Sequence, residues 1–115
     1  MDCVHLLNKW RHLIEPETSS GLTPVDWATV CTMPVLVFEG EKSVIVALDS
    51  SLKGEAVRTI WVAAGELGEV LEIVKRVEDS AREAGKAAIV FMGRRGWVRS
   101  AVGYKELATI GIKGL

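Results

Sequence analysis

The sequence predicts a single α/β (α+β) domain spanning residues 1–115. Its mixed, mostly antiparallel central sheet is flanked by helices, with a strand-helix-strand crossover near the C-terminus. Three observations predict this. Between residues 34 and 65, β-branched runs recur with turn residues between them. From Glu66 to Ala84 one apolar stripe repeats at three- and four-residue steps. The run "AAIVFMG" follows that stripe directly, as a buried strand does after a crossover helix.

The chain has 115 residues, 49% of them hydrophobic and 25% charged. That length buries a core without disulfides or metal staples, and that composition is globular rather than disordered. Fourteen basic residues against fifteen acidic give a net charge of -1, which argues against a dedicated nucleic-acid binder. No apolar stretch reaches the roughly 20 residues that span a bilayer. Asp2, Lys9 and Arg11 interrupt the apolar residues of the N-terminus, unlike a secretory signal. The expected location is cytoplasmic. Cys3 and Cys31 form no Cys-x-x-Cys pair, so reduced thiols are favoured over a disulfide.

In chain order, Asp2 to Glu15 reads as one amphipathic helix. Cys3, Leu6, Leu7, Trp10, Leu13 and Ile14 form its apolar face, and Pro16 ends it. "TPVDWATV" begins a short second helix, with Thr23 as cap, Pro24 in the first position and Asp26 completing a capping-box-like spacing. Pro34 closes that segment. "PVLVFEG" and "SVIVALDS" are strands joined through "EGEK", and "DSS" at 49–51 is a turn. "AVRTIWVAAG" is the third strand, with Val57, Thr59, Trp61 and Ala63 on one face and Ala56, Arg58, Ile60 and Val62 on the other. Glu66 to Ala84 is the long helix, with Glu72–Arg76 and Glu78–Arg82 pairs on its wet side and Gly85 as terminator. "AAIVFMG" is the fourth strand, Gly96 to Val102 a short helix, and "ELATIGIKGL" the last strand.

Trp10, Trp27 and Trp61 fall on amphipathic elements, where core packing is the default. Trp97 differs. It lies among Arg94, Arg95 and Arg99 within "GRRGWVRSAVGY", and tryptophan and arginine concentrate at interface hot spots. These four residues are the candidate protein interface. His5 and His12, seven apart on one helix, stand about 10 Å apart along its axis, too far to share a metal directly. No metal-ligand spacing, nucleophile elbow or P-loop is present, so no metal site is expected.

The element order, ending in "IVFMGRRGWVRSAVGYKEL", resembles the C-terminal half of the GNAT acetyltransferase superfamily. The resemblance runs from about Val35 to the end, and Gly103–Tyr104 stands where the family opens its next strand with Gly-Phe or Gly-Tyr. The arginine-tryptophan turn also resembles small GNAT-like proteins of tailed phages, some of them virion components. The chain is expected to be short of the complete family fold, lacking its first and last strands. Such edges invite pairing with another chain.

The resemblance implies an acetyl-CoA pyrophosphate held by backbone N–H groups at the amino end of the long helix, through Gln/Arg-x-x-Gly-x-Gly/Ala. Here the junction reads "VAAGELGEV", with no Arg or Gln before it. Glu66 and Glu69 place carboxylates there instead. Two like charges about 6 Å apart repel by roughly 3 kcal/mol at an effective dielectric of 20. The family's tyrosine acid would fall at Arg99, which stays protonated and cannot serve. As a base, Glu55 has only its position in its favour.

The expected function is therefore a non-catalytic GNAT-like interaction or structural module. It would have other protein subunits as partners, including its own copies or phage-particle proteins, and no cofactor. The alternative is a small acetyl-CoA-dependent N-acetyltransferase using a divergent loop at Ala63, Ala64, Gly65 and Gly68. Charge-driven nucleic-acid binding through Arg94, Arg95 and Arg99 ranks last.

Overall fold

The computed structural model describes residues 3–19, 24–92, 105–107 and 110–115. The helices are α1 (Cys3–Lys9), α2 (Arg11–Ser19), α3 (Trp27–Val30) and α4 (Leu67–Glu83). The strands are β1 (Leu36–Glu39), β2 (Val44–Leu52), β3 (Glu55–Ala64), β4 (Ala88–Met92), β5 (Lys105–Leu107) and β6 (Ile110–Gly114). Among the described residues the strands form one sheet in the order β1-β2-β3-β4-β6-β5. Only β3 and β4 pair parallel, around α4; the other four pairings are antiparallel. The mixed, mostly antiparallel sheet with flanking helices is thus observed. None of the described helices is long and apolar enough to cross a membrane.

Each face of the sheet carries a core. On one, Ile45, Ile60, Ile89 and Phe91 meet Val70, Ile73, Val74, Val77 and Ala81 of α4. Val70, Val74, Val77 and Ala81 are in the stripe of Leu67, Val70, Leu71, Val74, Val77, Ala81 and Ala84 that the helical period picks out. Ile73 is an addition to it, and Ala84 is exposed. On the other face, Val44, Val46, Val62 and Ala64 meet Leu7, Ile14 and Val30 from the three short helices and Trp10 from the α1–α2 junction, with Trp27 and Trp61 packed alongside.

The N-terminal helix is broken, and it runs further than Pro16. At the break Trp10 N–H is shared between the carbonyls of Leu6 and Leu7, both at 3.2 Å. Leu7, Trp10 and Ile14 stay buried in one cluster on either side of it. α2 continues through Pro16 to Ser19. A proline inside a helix removes one N–H donor, and the last turn is held instead by the hydroxyls of Thr18 and Ser19, which both donate to the Glu15 carbonyl. Thr18 is itself buried.

α3 is capped by Asp26, whose carboxylate accepts from Thr29 N–H at 2.8 Å. The cap is therefore Asp26, and Pro24 precedes the helix. Thr23 lies outside the described residues. Asp26→Ala is expected to cost about 1 kcal/mol, the usual value of such a cap, as a lowered midpoint in urea.

Residues 49–51 belong to β2 and not to a turn. The turn falls at Lys53–Gly54, where both φ angles are positive, 51° and 82°, as a two-residue hairpin turn of the primed type requires. In β3 the pairing passes from Val46↔Val62 to Ala47↔Ile60, leaving Trp61 as an extra residue. This bulge ends the simple alternation. Val62 and Ala64 join Trp61 on the face of the short helices, and Ala63 packs with Ile60 against α4.

α4 ends as expected at Gly85 (φ 73°), with Lys86 N–H returning to the Ala81 carbonyl and Gly85 N–H to that of Arg82. The paired charges on α4 are arranged differently from the expectation. Glu78 is buried and receives Lys113 of β6 at 3.2 Å, Arg82 pairs with Asp79, and Arg76 donates to the Glu39 carbonyl. The expected last strand is a hairpin of β5 and β6. The expected helix over 96–102 and the Gly103–Tyr104 pair lie outside the described residues.

Candidate functional site

The sheet register brings the end of β3, the first turn of α4 and the β1–β2 loop (residues 40–43) together at one end of the strands. Val44 pairs with Ala64, so the loop before Val44 sits directly over the β3–α4 junction. Ser43 is fully buried there, and its hydroxyl accepts the Glu66 N–H at 2.9 Å. Gly65 (φ 122°) lies so close to this loop that a Cβ on it would fall 2.6 Å from both the Lys42 carbonyl oxygen and Ser43 Cα.

The two acidic residues of the junction behave differently. Glu66 is the N-cap by backbone position, with no side-chain capping bond. Glu69, in the first turn, reaches over to the loop. Its carboxylate accepts Glu41 N–H at 3.0 Å and Lys42 N–H at 2.9 Å. The Ser43 hydroxyl and these N–H groups, with the Lys42 N–H the stronger of the two, hold the Glu69 carboxyl below the ordinary carboxylate range. The loop residues Ala63, Ala64, Gly65 and Gly68 are placed as follows. Ala64 is buried in the core under the short helices, Ala63 packs toward α4, Gly65 is pressed on Ser43, and Gly68 faces open space.

Next to the loop, Glu39 of β1 gathers three contacts. Its carboxylate accepts from Lys9 Nζ at 2.7 Å and Trp10 Nε1 at 3.0 Å, and its carbonyl accepts from Arg76. Lys9, and after it the Trp10 N–H, hold this carboxyl below its usual range. A groove of about 430 Å³ runs between the α1–α2 junction and the loop, lined by Lys9, Trp10, His12, Leu13, Glu41 and Lys42. His12 stacks on Trp10 with ring centroids 6.2 Å apart. A second hollow of about 320 Å³, on the sheet face away from α4, is bordered by Leu52, Val57, Val90, Met92 and Ile112.

A third constellation has no counterpart in the sequence expectations. Arg58 is almost wholly buried. It forms a two-pronged pair with Asp49, Nε to Oδ1 at 2.7 Å and Nη2 to Oδ2 at 3.1 Å, and its Nη1 donates to Ser80 Oγ at 2.6 Å. Lys86 Nζ stands 3.6 Å from the same carboxylate. Arg58, foremost by hydrogen bonding, holds Asp49 below the usual aspartate range. This network ties β2 and β3 to α4. Nε, Nη1 and Nη2 of Arg58 all donate within the protein, so the network acts as a fastening.

Among the described residues no three His, Cys, Asp or Glu side chains gather to hold a metal. His5 and His12 are exposed on separate helices. Cys31 is a half-buried free thiol. Glu55, considered as a base for its position, is exposed at the start of β3. The interface candidates Arg94, Arg95, Trp97 and Arg99 lie outside the described residues. No protein-family model, curated protein or solved structure matches this chain.

Proposed function

We propose that this chain is a non-catalytic, GNAT-like interaction module whose business is contact with other protein subunits. The parallel β3–β4 pairing around α4 supports the GNAT-like assignment, since it is the arrangement that the resemblance implies. One observation carries the non-catalytic reading: the Glu69 carboxylate is seated across the β1–β2 loop at the amino end of α4. A phosphate arriving at that end meets a carboxylate held ionised, and a junction in which Gly65 is packed against Ser43. Helix N-termini attract phosphate through free N–H groups and the helix dipole, and an ionised neighbour opposes that attraction.

The partner contact in this proposal is made by Arg94, Arg95, Trp97 and Arg99, as the sequence suggests, and the resemblance to small tailed-phage proteins makes the assembly of a virion its setting. Calorimetry and thermal melting with acetyl-CoA test the proposal. The expected result is no binding heat and no rise in Tm at millimolar ligand, because any ligand of the folded state must raise stability by mass action. Saturable stabilisation by acetyl-CoA would return the chain to the acyltransferases.

A further inference from the structure

The donors that hold Glu69 do not belong to its helix. They are the consecutive N–H groups of Glu41 and Lys42, converging on one carboxylate at 3.0 and 2.9 Å, with the Ser43 hydroxyl alongside. Successive backbone N–H groups that point to one spot make an anion-binding concavity, and hydrogen bonds to a charged acceptor are the strong ones. We infer that residues 41–43 form an oxyanion-binding site that the chain fills with its own Glu69 carboxylate, for which an external carboxylate or phosphate competes.

Gly40 borders the same seat. Its φ lies outside the left-handed region, so its conformation does not demand glycine. The space does. A Cβ on Gly40 would fall 2.6 Å from Glu69 Cδ and 2.8 Å from Oε1, in the seat itself. The concavity is thus shaped to admit a carboxyl group. Lys42, exposed beside the seat, has no ion pair among the described residues and adds positive charge there. Because Glu69 is tethered, it acts at a high effective concentration, and it keeps the site closed to dilute anions. Displacing it removes the tie at Glu41 and Lys42 and leaves the loop held to α4 through Ser43 and Glu66, so an anionic group on a partner would act on the position of residues 41 and 42.

This inference goes beyond the interaction reading and is tested without any protein partner. Glu69→Ala is melted with sodium acetate, sodium phosphate and, as a control, sodium chloride at matched ionic strength. Acetate or phosphate at about ten times its Kd is expected to raise the Tm of the variant by about 5 °C over chloride, and the wild type by much less. Acetate alone would identify a carboxylate seat, and phosphate alone a phosphate seat. In Glu69→Ala with Gly40→Ala the added Cβ fills the seat, and the rise is expected to vanish. Should Glu69→Ala not fold, Glu69→Ser, which also empties the seat, is read in the same way. A Tm that follows ionic strength alone, or a rise that survives Gly40→Ala, overturns the assignment.

Discussion

Replacing Asp49 with alanine is expected to destabilise the protein by about 3 kcal/mol, the low end of what breaking a buried ion pair costs. The asymmetry of the pair sets that size. The Arg58 side chain retains only 5% of its exposure, whereas Asp49 retains 40%. Without Asp49 the guanidinium keeps Ser80 alone, and its charge stays under α4 with two donors unmatched. The reverse change, Arg58→Met, is expected to cost less, about 1 kcal/mol, because a carboxylate so exposed is solvated by water and has Lys86 nearby. Urea unfolding of the two variants checks the order, and a larger loss for Arg58→Met would mean that the alkyl packing, not the charge, matters. The pH dependence has a definite sign. The folded-state pKa of Asp49 is lowered, so the pair contributes fully above the ordinary aspartate value of about 3.9. That contribution is lost as pH falls through the lowered folded value. The gap between wild type and Asp49→Ala should therefore close only in strong acid.

The same pair shows why part of the structure was legible in the sequence and part was not. Periodicity found α4 and the strands, because those signals come from a single face buried along many residues, as Val70, Ile73, Val74, Val77 and Ala81 are. Asp49 and Arg58 face each other only if the hairpin turns at Lys53–Gly54. Assigning 49–51 to the turn conceals that pairing, since turn propensity favours Asp-Ser-Ser over a lysine at positive φ. With the turn at Lys53–Gly54, opposite charges on neighbouring strands would have been readable. The Trp61 bulge is harder. Nothing in "RTIWVAA" distinguishes a bulge from plain alternation, because each residue suits either face. The acidic character of the α4 amino end was legible as composition, with Glu66 and Glu69 in view. Which of them is used was not, for that depends on a loop 27 and 28 residues earlier in the chain.

Gly65→Ala is expected to be the costliest small change in the junction, at about 3 kcal/mol or more, whereas Gly68→Ala, three residues on, is expected to be neutral or stabilising by up to about 1 kcal/mol. At Gly65 a side chain is opposed twice. The φ of 122° is a conformation that L-residues rarely adopt, and the new Cβ would run into Ser43 and the Lys42 carbonyl, part of which is backbone that cannot turn aside. At Gly68 nothing lies within 4 Å of an added Cβ, and the position is in the first turn of α4. The contrast bears on function as well as stability. In a phosphate cradle both glycines would let backbone approach a ligand, and alanine at either would weaken binding. In a junction closed by the β1–β2 loop, only the glycine beneath that loop is sensitive. Unfolding midpoints for the two variants separate these cases. A Gly68→Ala protein that melts at or above the wild-type temperature, beside a Gly65→Ala protein that melts far below it, places the tight constraint at Ser43 and leaves none at the open turn of the helix.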